Sequence, residues 1–125
     1  MNPEQEDRGF AGLLGIRLLE ATPHLARVEL DCGERHHNIF DKLHGGVAYS
    51  LVEEAARHLL AAAGREGRVR QVNINYLAPA QAGQEVVAEA RPAEAGDGEL
   101  LVAVEIKDSE QGRLLVSALV LAEGA

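Results

Sequence analysis

The sequence predicts an α+β fold in which an antiparallel β-sheet wraps around one long central helix. From Gly45 to Ala63, apolar residues recur with the period of an α-helix. On both sides of this segment, apolar and polar residues alternate with the period of two that is typical of strands. Glycine-containing turns separate the later strands, which lets consecutive strands run antiparallel.

The predicted helix is apolar over most of its circumference. Its polar residues fall on one narrow strip, which consists of Ser50, Glu53, Glu54, Arg57 and His58. A helix of this composition has to be buried on nearly all sides, and the glycine at position 64 is a typical helix stop. The polar strip therefore either faces solvent or lines a site.

Two strands are predicted before the helix and four after it. The first two cover residues 16–21 and 25–30 and are expected to form a hairpin. The last four are expected to form a meander, with strands at 71–76, 84–90, 100–106 and 114–121. The final strand, LLVSALVL, is apolar on both faces, which predicts a central position in the sheet or contact with another subunit.

Length and composition fit one soluble domain. We interpret residues 1–125, with an apolar fraction of 46%, as a single domain in which residues 1–14 form a short N-terminal helical segment. The formal charge of -8 argues against nucleic acid or an anionic membrane as a general partner. Cys32 is the only cysteine, which excludes an internal disulfide. Together with an acidic N-terminus and the lack of a long apolar run, this predicts a cytoplasmic protein.

The residues that can carry chemistry are concentrated between Asn38 and Glu54. His44-Gly45-Gly46 leads from a polar loop directly into the predicted helix. Backbone N–H groups at a helix start can hold an anion or polarise a carbonyl oxygen. Glu53, nine residues after His44, is a candidate for the carboxylate that a hydrolysis requires.

This ordered motif resembles that of a known family. It is similar to the motif of the hotdog-fold acyl-CoA thioesterases. The matching residues are Asn38, His44-Gly45-Gly46, Glu53 and the later segment NINYLAP at 73–79. The similarity is strongest to the PaaI-like branch, which includes phenylacetate-catabolism and 4-hydroxybenzoyl-CoA thioesterases, and it covers the chain from around Phe10 onward. It implies a hotdog fold and the hydrolysis of a small or medium acyl-CoA, aryl groups included, to the free acid and coenzyme A.

The resemblance also implies a role for each residue of the motif. Glu53 lies where the family has its catalytic acid, which acts as a general base on water or as a nucleophile on the thioester carbonyl. Gly45 matches the glycine whose N–H polarises that carbonyl. Asn38 matches an asparagine that positions the nucleophile or the thioester, and His44 matches the histidine beside it. Coenzyme A is then part of the substrate, and no separate cofactor or metal is expected.

Further substrate contacts are predicted around the motif. Gly46 adjoins the expected carbonyl site. A local basic cluster could contact the phosphates of coenzyme A or simply be solvated, and it consists of Arg65, Arg68 and Arg70. Relatives often have a glycine where this chain has Asp41, and many have Ser or Thr where it reads VRQ at 69–71. Gln71 or Asn73 could position the water in place of that Ser or Thr only if its side chain faces the ligand.

Helix geometry predicts that each site draws on two subunits. His44 and Glu53 are nine residues apart. At about 100° and 1.5 Å per residue, they are half a turn out of phase and about 13 Å apart along the axis. Family members overcome such a separation by dimerising, so that the helix start of one subunit meets the acid of the other. The resemblance therefore implies a homodimer or homotetramer that binds acyl-CoA at composite sites.

Several alternatives stay open at this point. The polar strip of the helix could be an ion-paired face in contact with solvent, because it contains two i,i+4 pairs of suitable charge. These pairs are Glu53 with Arg57 and Glu54 with His58. His44 could bond a loop carbonyl, and the two glycines could serve close packing. A non-catalytic acyl-CoA-binding module and a hydratase or dehydratase are the alternative functions. The candidate metal ligands match no recognised zinc spacing, and they are His36, His37, Asp41 and His44.

Overall fold

The computed structural model describes residues 14–32, 45–65, 68–80, 83–96 and 98–123. Within these ranges, the elements follow the predicted order of two strands, one helix and four strands. Their bounds are β1 Arg17–Ala21, β2 Ala26–Asp31, α1 Gly45–Ala62, β3 Arg68–Tyr76, β4 Glu85–Gly96, β5 Glu99–Asp108 and β6 Leu114–Glu123. No helix of these residues combines the length and apolar character needed to cross a membrane.

The strands form one antiparallel sheet in the order β1-β2-β4-β5-β6-β3. The hairpin of β1 and β2 is confirmed, but the prediction that all four later strands form a meander is wrong. Strand β3 pairs with β6 at the far edge, with Ile74 opposite Ala118, while β2 lies beside β4, with Val28 opposite Ala88. An alternating pattern suits any neighbouring strand, so the sequence of β3 does not select its partner.

Strand β4 extends to Gly96, six residues beyond the predicted end at Ala90. The extension passes through Pro92, where the register with β5 shifts. The pairing of β4 with β2 ends at Ala90, so Pro92 lies where β4 has a neighbour on one side only. Proline is tolerated at such an edge because no ladder bond needs its missing N–H.

Helix α1 packs against one face of the sheet, and the apolar core fills the space between them. The helix residues Leu51, Val52 and Ala55 are 0% exposed, as are Val28 and Val104 on the facing strands. Burial of each leucine or valine side chain contributes about 1.5–3 kcal/mol. The predicted α+β arrangement, a sheet wrapped on one helix, is confirmed.

The outer face of the sheet divides into a charged part and an apolar part. Over β2, β4 and β5, the carboxylate of Glu89 lies 3.2 Å from Arg27 and 3.3 Å from Lys107. Strand β6 is hydrogen-bonded on both sides, as its apolar sequence predicts. However, Leu119 on its outer face is 45% exposed, so the protomer alone does not cover this part of the sheet.

Gly64 ends α1, as predicted. Its φ of +72° lies in the left-handed region that favours glycine. The Gly64 N–H donates to the Ala61 carbonyl at 3.0 Å, and the Arg65 N–H donates to the Leu60 carbonyl at 2.9 Å. These two bonds satisfy carbonyl groups that the end of a helix leaves without partners.

We predict that Gly64→Ala lowers the free energy of unfolding by about 1 kcal/mol, because alanine is strained at a positive φ. The matched control is Gly96→Ala. An added methyl meets nothing within 4 Å at either position, but Gly96 has no positive φ. Its free energy of unfolding should change by no more than about 0.5 kcal/mol. Urea unfolding followed by circular dichroism compares the two, and equal stabilities would contradict the conformational role of Gly64.

Candidate active site

Gly45 and Gly46 are the first two residues of α1, and both are exposed. The N–H groups of a first helical turn have no partner within the helix, and the helix dipole gives them a partial positive charge. The first turn of α1 contains no acidic side chain that would offset this charge. The helix start can therefore polarise a carbonyl oxygen or hold an anion.

Tyr76, the last residue of β3, contacts this helix start. Its hydroxyl donates a hydrogen bond to the Gly45 carbonyl oxygen at 3.1 Å. The ring lies against the same residue, because a methyl group placed on Gly45 would be 3.5 Å from the Tyr76 hydroxyl oxygen. Within the helix, the Ser50 hydroxyl donates to the Gly46 carbonyl at 2.9 Å. Strand β3 and the second turn of α1 thus both hold the first turn.

Glu53 lies two turns after Gly45, with its side chain 29% exposed. A nitrogen of Arg57, one turn later, is 3.1 Å from its Oε1. Tyr49 lies one turn earlier on the same helix, close enough for the charge of Glu53 to act on its phenol. Desolvation, and then the charge and hydrogen bond of Glu53, raise the pKa of the Tyr49 phenol above its ordinary value, against a smaller opposing effect of Arg57. Glu53 is therefore paired with Arg57 and lies within electrostatic reach of Tyr49.

The neighbouring Glu54 has a different environment. Counted from Gly45 at about 100° per residue, Glu53 lies about 80° and Glu54 about 180° around the helix. Glu54 Oε1 is 3.2 Å from His58 Nε2, and the His58 side chain is only 8% exposed. Both expected i,i+4 pairs are present, but His58 is buried and does not share the exposed face of Glu53 and Arg57.

Gly45 and Glu53 do not meet within one protomer. Eight residues of helix separate them by about 12 Å along the axis and about 80° around it. An oxyanion donor acts at about 3 Å from the oxygen it stabilises. A thioester held at the Gly45 N–H is therefore beyond the reach of the Glu53 carboxylate of the same chain.

Gln71 and Asn73 lie on the opposite face of the sheet from α1. In the pairing of β3 with β6, Gln71 is opposite Leu121 and Asn73 is opposite Leu119, both on the outer face. The Asn75 amide donates to Asn73 Oδ1 at 3.3 Å on this face. The structure thus does not bring either side chain to the helix start or to Glu53 of its own protomer, and their substrate contact stays a prediction.

The three arginines lie at the other end of α1 from Gly45. Arg65 lies three residues after the end of the helix, whose 18 residues span about 27 Å. Arg68 begins β3, and Arg70 Nη1 lies 3.2 Å from Glu123 Oε1 between two half-exposed side chains. Contact of these arginines with phosphate stays a prediction.

Cys32 is buried, being only 3% exposed. Burial, and then the nearby charge of Asp31, raise the pKa of its thiol to about 11. The thiol is therefore protonated at neutral pH, which argues against a nucleophilic role.

Other predicted residues lie outside the described ranges, namely Asn38 and His44 of the motif and the metal candidates His36, His37 and Asp41.

Sequence reasoning missed the surroundings of the two tyrosines. The i,i+4 spacing of Tyr49 and Glu53 is a local signal that could have indicated their proximity. Tyr76 and Gly45 are 31 residues apart and meet only because β3 lies beside the helix start, so the local sequence contains no such signal.

Comparison with known proteins places the chain in a family. Residues 40–115 match the sequence profile of the thioesterase superfamily. Acyl-coenzyme A thioesterase 13 of Homo sapiens is 30% identical over 111 residues, which are 86% of this chain and 79% of that protein. The 1,4-dihydroxy-2-naphthoyl-CoA hydrolase of Listeria monocytogenes is 30% identical over 117 residues, 91% of this chain and 94% of that protein. The E. coli PaaI structure matches with a TM-score of 0.87 at 21% identity, covering 97% of this chain and 92% of that one.

These similarities confirm two of the predictions. The structural match confirms the hotdog fold, and the sequence matches confirm the expected class of enzyme, a thioester hydrolase. The matched range contains Gly45, Glu53 and Tyr76 and begins two residues after Asn38. The chain belongs to the thioesterase superfamily.

Proposed function

We propose that the protein is an acyl-CoA thioesterase that hydrolyses a small or medium acyl-CoA, aryl groups included, to the free acid and coenzyme A. The observation that carries the proposal is the placement of two groups on one helix. An exposed glycine start with no acidic side chain in its first turn and a carboxylate paired with Arg57 lie two turns apart. The names of the two relatives at 30% identity support a coenzyme A thioester as the substrate.

In the proposed reaction, the Gly45 N–H donates to the thioester carbonyl oxygen while Glu53 takes a proton from a water molecule that attacks the carbonyl carbon. The resulting oxyanion lies at the helix start. Its collapse breaks the carbon–sulfur bond, and the leaving thiolate takes up the proton to give coenzyme A and the free acid. If Glu53 attacks directly instead, a mixed anhydride forms and water hydrolyses it in a second step.

A second copy of the chain bridges the 12 Å gap in this proposal. Strand β3 is a nine-residue edge strand, so one row of its backbone groups pairs with no other strand among the described residues. On this strand Val72 and Ile74 are only half-buried, whereas Val120 and Ala118 opposite them on β6 are buried. A partner subunit along this edge would cover both.

Antiparallel pairing of two β3 strands about a two-fold axis suits this edge. It would place the Arg68 end of one strand beside the Tyr76 end of its partner, because these are the two ends of β3. The arginine cluster would then lie on the side of the partner's helix start, where an acyl-CoA enters. We propose a cytoplasmic homodimer of this kind, or a tetramer of two such dimers, in which Asn38 and His44 help to position the reactants.

We predict that Glu53→Ala lowers kcat/KM for the best substrate at least about 100-fold, because the reaction loses its base or nucleophile. The measurement is thiol release across aliphatic and aromatic acyl-CoAs. Glu54→Gln is the matched control, since it keeps a hydrogen-bonding partner for His58 and should change kcat/KM by no more than about twofold. Retained activity of a folded Glu53→Ala oligomer would reject the role of Glu53. Tight acyl-CoA binding without thiol release by the unmodified protein would favour the non-catalytic binding module.

We also predict that Gly45→Pro lowers kcat about 100-fold while the helix still forms. Proline removes the N–H but suits the first position of a helix. Gly45→Ala is the comparison variant. It keeps the N–H and places a methyl at an ordinary 3.5 Å from Tyr76, so it measures the steric part of the effect alone. A folded Gly45→Pro protein with unchanged kcat would show that this N–H does not stabilise the oxyanion.

A further inference from the structure

One row of α1 residues, spaced by four along the chain, is not covered by the sheet. The row consists of Gly45, Tyr49, Glu53, Arg57 and Ala61. Four of these residues are exposed, and the side chain of the fifth, Glu53, is 29% exposed. Residues spaced by four lie on one side of a helix, with a drift of about 40° per step. This face of the helix is therefore open to solvent in the protomer.

We propose that a second copy of the chain covers this face, with the two Tyr49 side chains in contact at the two-fold axis of the dimer. Tyr49 then lies midway between the two composite sites. The inference rests on the proposed function, because it takes from it the meeting of Gly45 in one subunit with Glu53 in the other.

The position of the axis follows from the two groups that have to meet. A homodimer with two-fold symmetry uses the same surface on both subunits, and the midpoint between any atom and its symmetry mate lies on the axis. In the proposed site, the helix start of one subunit is separated from Glu53 of the partner subunit only by the reacting atoms. Glu53 of the partner subunit therefore marks the position to which the axis carries Glu53 itself. The axis passes close to the midpoint between Gly45 and Glu53 of a single chain.

Tyr49 is the residue at that midpoint. It follows Gly45 by four residues and precedes Glu53 by four. Along the helix it lies about 6 Å from each of them, and around the helix it lies at about 40°, halfway between Gly45 at 0° and Glu53 at about 80°. Tyr49 is also 39% exposed, so its ring is accessible to another chain. A side chain at the axis contacts its own symmetry mate.

The charges on this helix face favour the same register. An axis at Glu53 or at Arg57 would place two like charges side by side, which is destabilising. With the axis at Tyr49, the two Glu53 positions lie about 12 Å apart along the helices and the two Arg57 positions about 24 Å apart, both beyond the Debye length of about 10 Å at 0.1 M salt. Each Glu53 instead faces a helix start whose first turn contains no acidic side chain.

The size of Tyr49 also suits a contact at the axis. Gly45 and Ala61 are small, and the other two members of the row are charged, so Tyr49 is its one large uncharged side chain. Two tyrosine rings that pack against each other remove apolar surface from water and attract each other in addition. The centre of the shared face is thus closed by a pair of rings, and a composite site lies on each side of it.

Cross-linking of Tyr49→Cys tests the position of the axis. A short bismaleimide should join two cysteines at the axis, so that most of the protein migrates as a covalent dimer in denaturing gel electrophoresis. Ala61→Cys is the matched control, because it lies on the same exposed row but its two copies would be about 36 Å apart along the helices. It should migrate as a monomer. The unmodified protein is the blank, since its one cysteine, Cys32, is buried.

Tyr49→Asp provides a second readout by placing two carboxylates at the axis. We expect the dissociation constant of the dimer, measured by analytical ultracentrifugation, to rise at least about 100-fold, because the ring contact is lost and like charges face each other. Ala61→Asp adds the same charge to the same row far from the axis and should change the constant by no more than about threefold. Circular dichroism checks that both variants keep the helix.

The outcomes separate this inference from the proposed function. A folded Glu53→Ala oligomer that retains activity rejects the proposed function and the inference with it. If Glu53→Ala is inactive but Tyr49→Cys forms no covalent dimer from a protein that is dimeric in solution, the axis lies elsewhere and only this inference is overturned. Equal cross-linking of Tyr49→Cys and Ala61→Cys, or an unchanged dimer in Tyr49→Asp, would overturn it as well. A covalent dimer from Tyr49→Cys alone, with selective dissociation of Tyr49→Asp, supports it.

Discussion

Burial of α1 against the sheet fixes the distance between the two groups of the candidate site. Leu51, Val52 and Ala55 are fully buried between Gly45 and the end of the helix, so the helix is held along its length. Close-packed interiors resist deformation, and eight residues of regular helix keep Gly45 and Glu53 about 12 Å apart. No side-chain rotation removes this separation. In the proposed reaction, a second subunit would therefore bring its acid to the helix start of the first.

The helix start departs from what helix stability alone would favour. Glycine is a poor helix former, and two glycines in the first turn lower the stability of α1. Both glycines are exposed, and the Tyr76 ring lies against Gly45. Local departures of this kind are expected where a site is built. The structure offsets this freedom with two hydrogen bonds, from Tyr76 and from Ser50, to the carbonyls of the glycines.

The sequence predicted the order of the elements, the helix limits and Gly64 as the stop, because each of these leaves a local signal. The partner of β3 could not be predicted in the same way, since alternation in residues 71–76 is equally compatible with β4 and β6. The roles of the site residues stay predictions. The spacing of His44 and Glu53 is a local signal that favours a site shared between two subunits, but the contact of Tyr76 with Gly45 depends on the tertiary arrangement. The outward direction of Gln71 likewise follows from the register with β6.

Subunit mixing tests the composite site most directly. Oligomers of Gly45→Pro lack the helix-start donor at both sites of each dimer, and oligomers of Glu53→Ala lack the acid at both. If the two variants are mixed in equal amounts, unfolded and refolded together, about half of the dimers are mixed, and each of these contains one intact site. The account predicts recovery of about one quarter of the unmodified activity. Activity no higher than that of the separate variants would contradict a site shared between two subunits.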